Sequence, residues 1–176
     1  MFDNLREDTR RLLITKKKPF PWYVIESLLF ETGYQAVVLH RIAHWFKSRR
    51  IPVFGPLFAR LNQFLTGVDI GPGAVIGPGL LISHGNGIVI GGYVRIGRNA
   101  ILLHQVTIGS PDPSRIEEMP VIGDDVFIGA GAKVIGPITV GDNAFIGVDA
   151  IVTRDIPSGS RVLCKSGIDV SPRSDL

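Results

Sequence analysis

The sequence contains one cysteine, Cys164. A lone thiol cannot build a disulfide framework or a cysteine-based zinc site. No apolar run approaches the roughly 20 residues needed to cross a bilayer. The opening residues, MFDNLREDTRR, are charged and carry no apolar stretch of the secretory kind. These absences make a soluble cytoplasmic chain the expectation. No glycine-rich loop of the nucleotide-binding type is present, because Ile-Gly-Pro-Gly and Gly-Ala-Gly-Ala-Lys have no strand-then-helix context around them. The basic residues are not interleaved with aromatics on a sheet pattern, so no nucleic-acid module is expected.

Glycine is abundant, with 21 of 176 residues, and the apolar residues follow a fixed spacing. Every sixth position reads Ile70, Ile76, Ile82, Ile88, Val94, Ala100 and Val106. After a break it reads Ile122, Ile128, Val134, Val140, Ile146 and Val152. A 3.6-residue helical period cannot generate a strict six, and a flat strand alternates in twos. A parallel β-helix does generate it, since each repeat is one short strand plus a corner. Gly follows the rung at Gly71, Gly77, Gly123, Gly129, Gly141 and Gly147, where a tight corner disfavours a Cβ. Three rungs per triangular coil of about 18 residues give a little over four coils, with a buried Ile/Val column as the main stabiliser. Val106 and Ile122 stand sixteen positions apart, which leaves ten extra residues, Ser110 to Met119, as a loop thrown out of the wall. Long loops on rigid scaffolds commonly carry sites.

The mainly β body is expected over 67–157, preceded by a short α-helical segment, 1–66, and followed by a tail, 158–176. Within the front segment, helices are expected near 3–14, 22–50 and 56–66, interrupted at Pro19, Pro21, Pro52 and Pro56. These helices are expected to cap one end of the β-helix, and the tail to cover the other. Residues 1–60 hold eleven Lys/Arg against five Asp/Glu, whereas 61–176 hold eight against eleven. The basic front, with Trp22, Trp45 and Phe54, is either a solvated, capping face or a surface for an anionic partner such as the inner face of a membrane.

Four histidines are candidates for chemistry. His40 and His44 have a helical i, i+4 spacing, which serves packing or a metal; no third ligand is near, and no metal is expected. His84 falls at an outward corner among small residues, where an imidazole near its ordinary pKa can act as a general base. Asp69 precedes it by fifteen residues, near the same corner on the adjacent coil, where a carboxylate can orient the ring. The alternative is a surface histidine on a turn. His104 lies twenty residues after His84, near Asn86 one coil on. It serves either an acceptor molecule or a hydrogen bond between coils.

Gly67-Val-Asp-Ile-Gly-Pro-Gly-Ala, His84-Gly-Asn-Gly-Ile-Val-Ile-Gly, Gln105-Val-Thr-Ile-Gly, Ile128-Gly-Ala-Gly-Ala-Lys-Val-Ile-Gly and His40-Arg-Ile-Ala-His-Trp carry a resemblance. Together they resemble the hexapeptide-repeat acyltransferases, and among them the serine O-acetyltransferases, over roughly residues 5–160. The resemblance implies a left-handed parallel β-helix, acetyl-CoA as co-substrate and a homotrimer with CoA between subunits. It implies His84 as the base and Asp69 as its partner, and places Gly109, Ser110, Ala130 and Val148 at the CoA groove. A front segment shorter than the family's long helical domain implies a trimer rather than paired trimers.

The departures bear on the acceptor. Lys18-Pro19 stands where the serine enzymes have Asp-Pro, Ser83 where an Asp precedes the histidine, and Glu118-Met119-Pro120 where Arg-His-Pro ends the loop. Those are the family's ammonium and carboxylate contacts. His104 resembles members that acetylate sugars in polysaccharide synthesis. Leu163 to Gly167 replaces the family's Gly-x-Pro-Ala-Arg-like segment. The expected function is therefore an acetyl-CoA-dependent O-acetyltransferase acting on a saccharide or polysaccharide precursor, with Ser83, His104, Glu118 and Met119 shaping the acceptor site. Serine acetylation is the first alternative, and a non-catalytic trimeric assembly module is the second.

Overall fold

The computed structural model describes residues 2–17 and 22–164. Four helices come first: α1 (Phe2–Lys16), α2 (Trp22–Phe30), α3 (Thr32–Ser48) and α4 (Phe54–Thr66). Helix α4 ends at Gly67, whose left-handed φ of 70° closes the last turn with an N–H to the Gln63 carbonyl. Fourteen strands of two or three residues follow: β1 (Asp69–Ile70), β2 (Val75–Ile76), β3 (Leu81–Ile82), β4 (Val89–Ile90), β5 (Arg95–Ile96), β6 (Ile101–Leu102) and β7 (Thr107–Gly109), then β8 (Val121–Ile122), β9 (Phe127–Ile128), β10 (Lys133–Ile135), β11 (Thr139–Val140), β12 (Phe145–Ile146), β13 (Ile151–Val152) and β14 (Arg161–Val162).

All pairs are parallel and form the three walls of a left-handed β-helix. The first wall runs β1-β4-β7-β10-β13, the second β2-β5-β8-β11 and the third β3-β6-β9-β12-β14. Each coil visits the walls in that order, so three kinds of corner stack along the prism. The interior is a dry column of Ile, Val, Leu and Ala, with Ile70, Ile90, Leu102, Ile108, Ile128 and Ile146 at 1% exposure or less. Burial of this kind contributes roughly 1.5–3 kcal/mol per large aliphatic side chain. Two inward positions per turn of the ladder explain the small residues two before each rung: Ala74, Ala132, Ala144 and Ala150 fill the corner side of the column.

The ladder differs from its sequence reading in register. The inward strand positions after Ile82 are Ile90, Ile96, Leu102 and Ile108. Ile88, Val94, Ala100 and Val106 are buried two residues earlier, at the corners. The first coil spans 20 residues, as Asp69 pairs Val89 and Leu81 pairs Ile101, whereas Val89 pairs Thr107 at 18. The two additional residues sit between β3 and β4, at the corner that carries His84. A strict six-count steps over this insertion, because both the strand and the corner positions are aliphatic. The external loop is correspondingly shorter: Ile108 to Ile122 is fourteen positions, so eight residues rather than ten are extra.

The helices cover the first coil. Asp8 of α1 accepts hydrogen bonds from the Gly79 and Leu80 amides and pairs with Arg41 of α3. Leu12, Tyr23, Tyr34 and Leu81 form a second small core where α1, α2, α3 and β3 meet. At the other end β14 extends the third wall beyond β12. Lys18, Pro19 and the segment from Lys165 onward lie outside the described residues. No described helix is long and apolar enough to cross a membrane.

Candidate active site

The corner between the third and first walls stacks four times, through residues 83–88, 103–106, 129–132 and 147–150. Backbone bonds tie the stack together: Gly87 N–H to Gly67 O, Gln105 N–H to Asn86 O, Gly131 N–H to His104 O and Asp149 N–H to Ala130 O. The first of these corners has six residues where the second has four, and His84 sits in the enlargement with a left-handed φ of 59°. Its ring is exposed as a result. Gly85 beneath it packs against Val68 and Ile82, and a Cβ there would crowd Val68.

His84 and His104 face each other one coil apart, ring centroids 6.5 Å apart and planes at 81°. Gln105 bonds the Asn86 carbonyl and stacks on Gly87, so His104 lies next to Asn86 one coil on, as its spacing implied, and its ring also faces that of His84. Thr32, Asn86 and Gln105 complete an open cavity of about 420 Å³ around the two rings. A second, smaller cleft of about 190 Å³ opens on the other side of His84, toward the helices, and reaches Ser83, Glu31 and Lys16. Helix α3 comes this close because Gly33 has no side chain: a Cβ there would collide with the Ile82 carbonyl. In that cleft Glu31 accepts from the Tyr23 hydroxyl and pairs with Lys16 at 3.5 Å. Burial, and then the Glu31 carboxylate, push the Tyr23 phenol up to about 12, so it remains a donor at neutral pH.

Asp69 lies on β1 and His84 on the corner after β3. No hydrogen bond or ion pair joins them; Asp69 is half-buried on β1, opposite Val89, and borders a cleft under α4 with Arg60, Gln63 and Pro72. The enlarged corner carries the imidazole outward while the strand holds the carboxylate on the wall. Backbone bonds link the two segments: the Asp69 amide donates to the Ile88 carbonyl and the Gly87 amide to the Gly67 carbonyl.

The remaining predicted residues divide between two corner stacks. Ala130 and Val148 lie on the His84 stack. Gly109 ends β7 and Ser110 follows it, at the next stack, and a Cβ at Gly109 would meet nothing within 4 Å. Glu118 and Met119 end the external loop on that same stack. Met119 packs its sulfur on Gly91 and accepts from the Tyr93 amide at 3.4 Å, and Glu118 pairs with Arg115 at 3.1 Å. None of the six lines either cavity beside His84. His40 is fully buried with neither ring nitrogen hydrogen-bonded, and His44 Nδ1 meets the Pro72 carbonyl at 3.1 Å. These two rings serve packing.

Sequence reasoning missed Lys16, Glu31, Thr32 and Asn86. The available signal was Gly33 inside a helical pattern, which marks close approach of another backbone.

A three-walled coil with a histidine raised on one enlarged corner defines a hexapeptide-repeat transferase, and residues 119–154 match the model of the bacterial transferase hexapeptide (six repeats). The serine acetyltransferase of Synechococcus elongatus is 39% identical over 179 residues, covering 98% of this chain and 72% of that protein. That of Helicobacter pylori is 42% identical over 135 residues, 77% of this chain and 79% of that protein. Among solved structures, Entamoeba histolytica serine acetyltransferase isoform 3 in complex with cysteine superposes with a TM-score of 0.84 at 28% identity, over 97% of this chain and 60% of that one. The Neisseria gonorrhoeae enzyme in complex with serine gives 0.82 at 30%, over 97% and 68%. The chain belongs to the serine acetyltransferase family of hexapeptide-repeat acyltransferases.

Proposed function

We propose that this chain transfers the acetyl group of acetyl-CoA to the hydroxyl of L-serine or a close analogue. The observation that carries the reading is His84, raised on its corner above His104, in a chain 39% identical to a serine acetyltransferase over nearly its whole length. The imidazole of His84 takes the hydroxyl proton as the acceptor oxygen bonds to the thioester carbonyl carbon. The tetrahedral intermediate collapses, the C–S bond breaks, and the departing thiolate takes the proton from the imidazolium. Asp69 is assigned to stabilise that imidazolium by its charge.

The CoA contacts are proposed at Gly109, Ser110, Ala130 and Val148, small or open positions along two adjacent corner stacks. A homotrimer places one stack of each subunit against the other stack of its neighbour. A cytoplasmic location, with the basic helical front at a membrane surface, is proposed on charge alone.

The relatives favour the amino-acid acceptor over the saccharide suggested by Ser83, His104, Glu118 and Met119. One observation keeps the saccharide as a second reading: Glu118, in place of a carboxylate-binding Arg, is itself acidic and engaged with Arg115. Release of CoA thiol on mixing purified protein and acetyl-CoA with L-serine, and separately with sugars, tests both. Turnover with sugars alone replaces the acceptor; no turnover and no CoA binding leaves the assembly-module reading.

A further inference from the structure

The cleft between His84 and the helices carries an opposite-charge pair to which the sequence motifs give no role. Lys16 closes α1, and Glu31 stands at the junction of α2 and α3. Their side chains are 46% and 29% exposed, and the ion pair between them, at 3.5 Å, opens onto the cleft that Ser83 and His84 line. A half-exposed pair of this kind contributes little to stability. The structure nevertheless spends several buried contacts to hold each member in place.

Lys16 is fixed through α1. The carboxylate of Asp8, two helical turns earlier, is fully buried on Arg41 and on the amides of Gly79 and Leu80, which sets the register of α1 against the first coil. Glu31 is fixed twice. Gly33 seats the first turn of α3 on the Ile82 carbonyl, and the buried Tyr23 hydroxyl donates to one Glu31 oxygen. The Lys16 ammonium meets that same Oε1 oxygen, and both Glu31 and Lys16 line the cleft. One carboxylate and one ammonium, in van der Waals reach of each other and beside a general base, are complementary to a zwitterion.

We propose that Lys16 and Glu31 form the acceptor-recognition pair, Glu31 binding the ammonium and Lys16 the carboxylate of a small hydroxy amino acid whose hydroxyl then points at His84. The proposal rests on the acetyl-transfer reading above. It also accounts for the departures at Ser83, Glu118 and Met119: the charges that those positions no longer supply are offered by the helical front. Binding exchanges the internal ion pair for two ion pairs with the ligand, so no charge is left unpaired in the cleft.

The test is steady-state acetyl transfer with three acceptors: L-serine, serinamide, which lacks the carboxylate, and glycerate, which lacks the ammonium. The wild-type protein is expected to prefer L-serine over both. Glu31→Gln is expected to raise KM for L-serine by about tenfold or more with kcat changed far less, and the penalty shrinks for glycerate. Lys16→Met is expected to do the same, with the penalty shrinking for serinamide. Tyr23→Phe controls for the loss of the Tyr23–Glu31 hydrogen bond, and Lys16→Met, at an exposed position, keeps the test valid if Glu31→Gln melts early. L-serine turnover with KM within about twofold of wild type in both charge variants overturns the pair and leaves the function standing. A wild-type protein that acetylates sugars but none of the three acceptors overturns the amino-acid reading itself.

Discussion

Asp8 and Arg41 form a buried ion pair, 2.9 Å from Oδ2 to Nε, with a second contact of 3.1 Å from Oδ1 to Nη2. The carboxylate also accepts the Gly79 and Leu80 amides, and the guanidinium donates to the carbonyls of Ile76 and Gly77. Both side chains are satisfied without water, and together they rivet α1 and α3 to the first coil. Breaking one partner leaves the other charge buried, so Asp8→Ala and Arg41→Ala should each cost about 3–5 kcal/mol. Thermal melts of both, and of the double variant, check this. The double variant should lose much less than the sum.

His84→Ala should lower kcat for acetyl transfer by roughly 10²–10⁴-fold. The side chain is exposed and makes no hydrogen bond, so the melting temperature should stay within about 1 °C of wild type, as expected for a small stability change. A rate that survives the substitution, with acetyl-CoA and L-serine both saturating, removes His84 as the base.

Gly33→Ala places a methyl against the Ile82 carbonyl. Helix α3 must lift from the wall, at a cost of about 1–3 kcal/mol. Because Thr32 in the first turn of α3 and Glu31 just before it border the His84 corner, catalytic efficiency should fall as well as stability. Ala substitution at Gly109, whose Cβ direction is open, should leave stability nearly unchanged.

His40 supplies a pH dependence. Burial first, then the neighbouring charges of Arg41 and His44, push its pKa down to about 3. The unfolded chain takes up the proton near the ordinary value of about 6.5, and the folded chain resists it. Stability should therefore be complete above pH 6.5 and decline as pH falls toward 3, by an amount on the order of a few kcal/mol. Denaturant melts at pH 7 and pH 4.5 should show the loss, and His40→Leu should flatten it.

The coil register gives a paired prediction. Ile128 is fully buried in the column, so Ile128→Asp should unfold the chain. Asp142 sits at an exposed corner and accepts the Asp124 amide at 2.7 Å, so Asp142→Ala should cost about 1 kcal/mol. Equal melting temperatures would contradict the register.

The β-helix was legible because its cause is local and repeated. From Ile122 to Val152 each coil is 18 residues, and every sixth residue is a rung in the structure as in the sequence. Between Ile82 and Val106 the same count slipped by two. Ile88 and Ile90 are both buried aliphatics, so hydrophobicity alone cannot say which one occupies the strand. The external loop was overcounted by the same two residues. His84 was legible as a corner histidine, but its protrusion on an enlarged corner was not.

The class of fold, the helical front, the corner histidines and the family follow from short-range pattern and were readable in the residues alone. Tertiary structure alone decided which charges surround His84. Lys16 ends α1 and Glu31 stands between α2 and α3, fifteen residues on, with no spacing that links them. They meet because a buried Asp8–Arg41 pair fixes one helix and a missing side chain at Gly33 lets the other touch the wall. Tertiary structure likewise put His84 on a corner two residues longer than the ones stacked on it, because an insertion changes where a corner points without changing the pattern of what it buries.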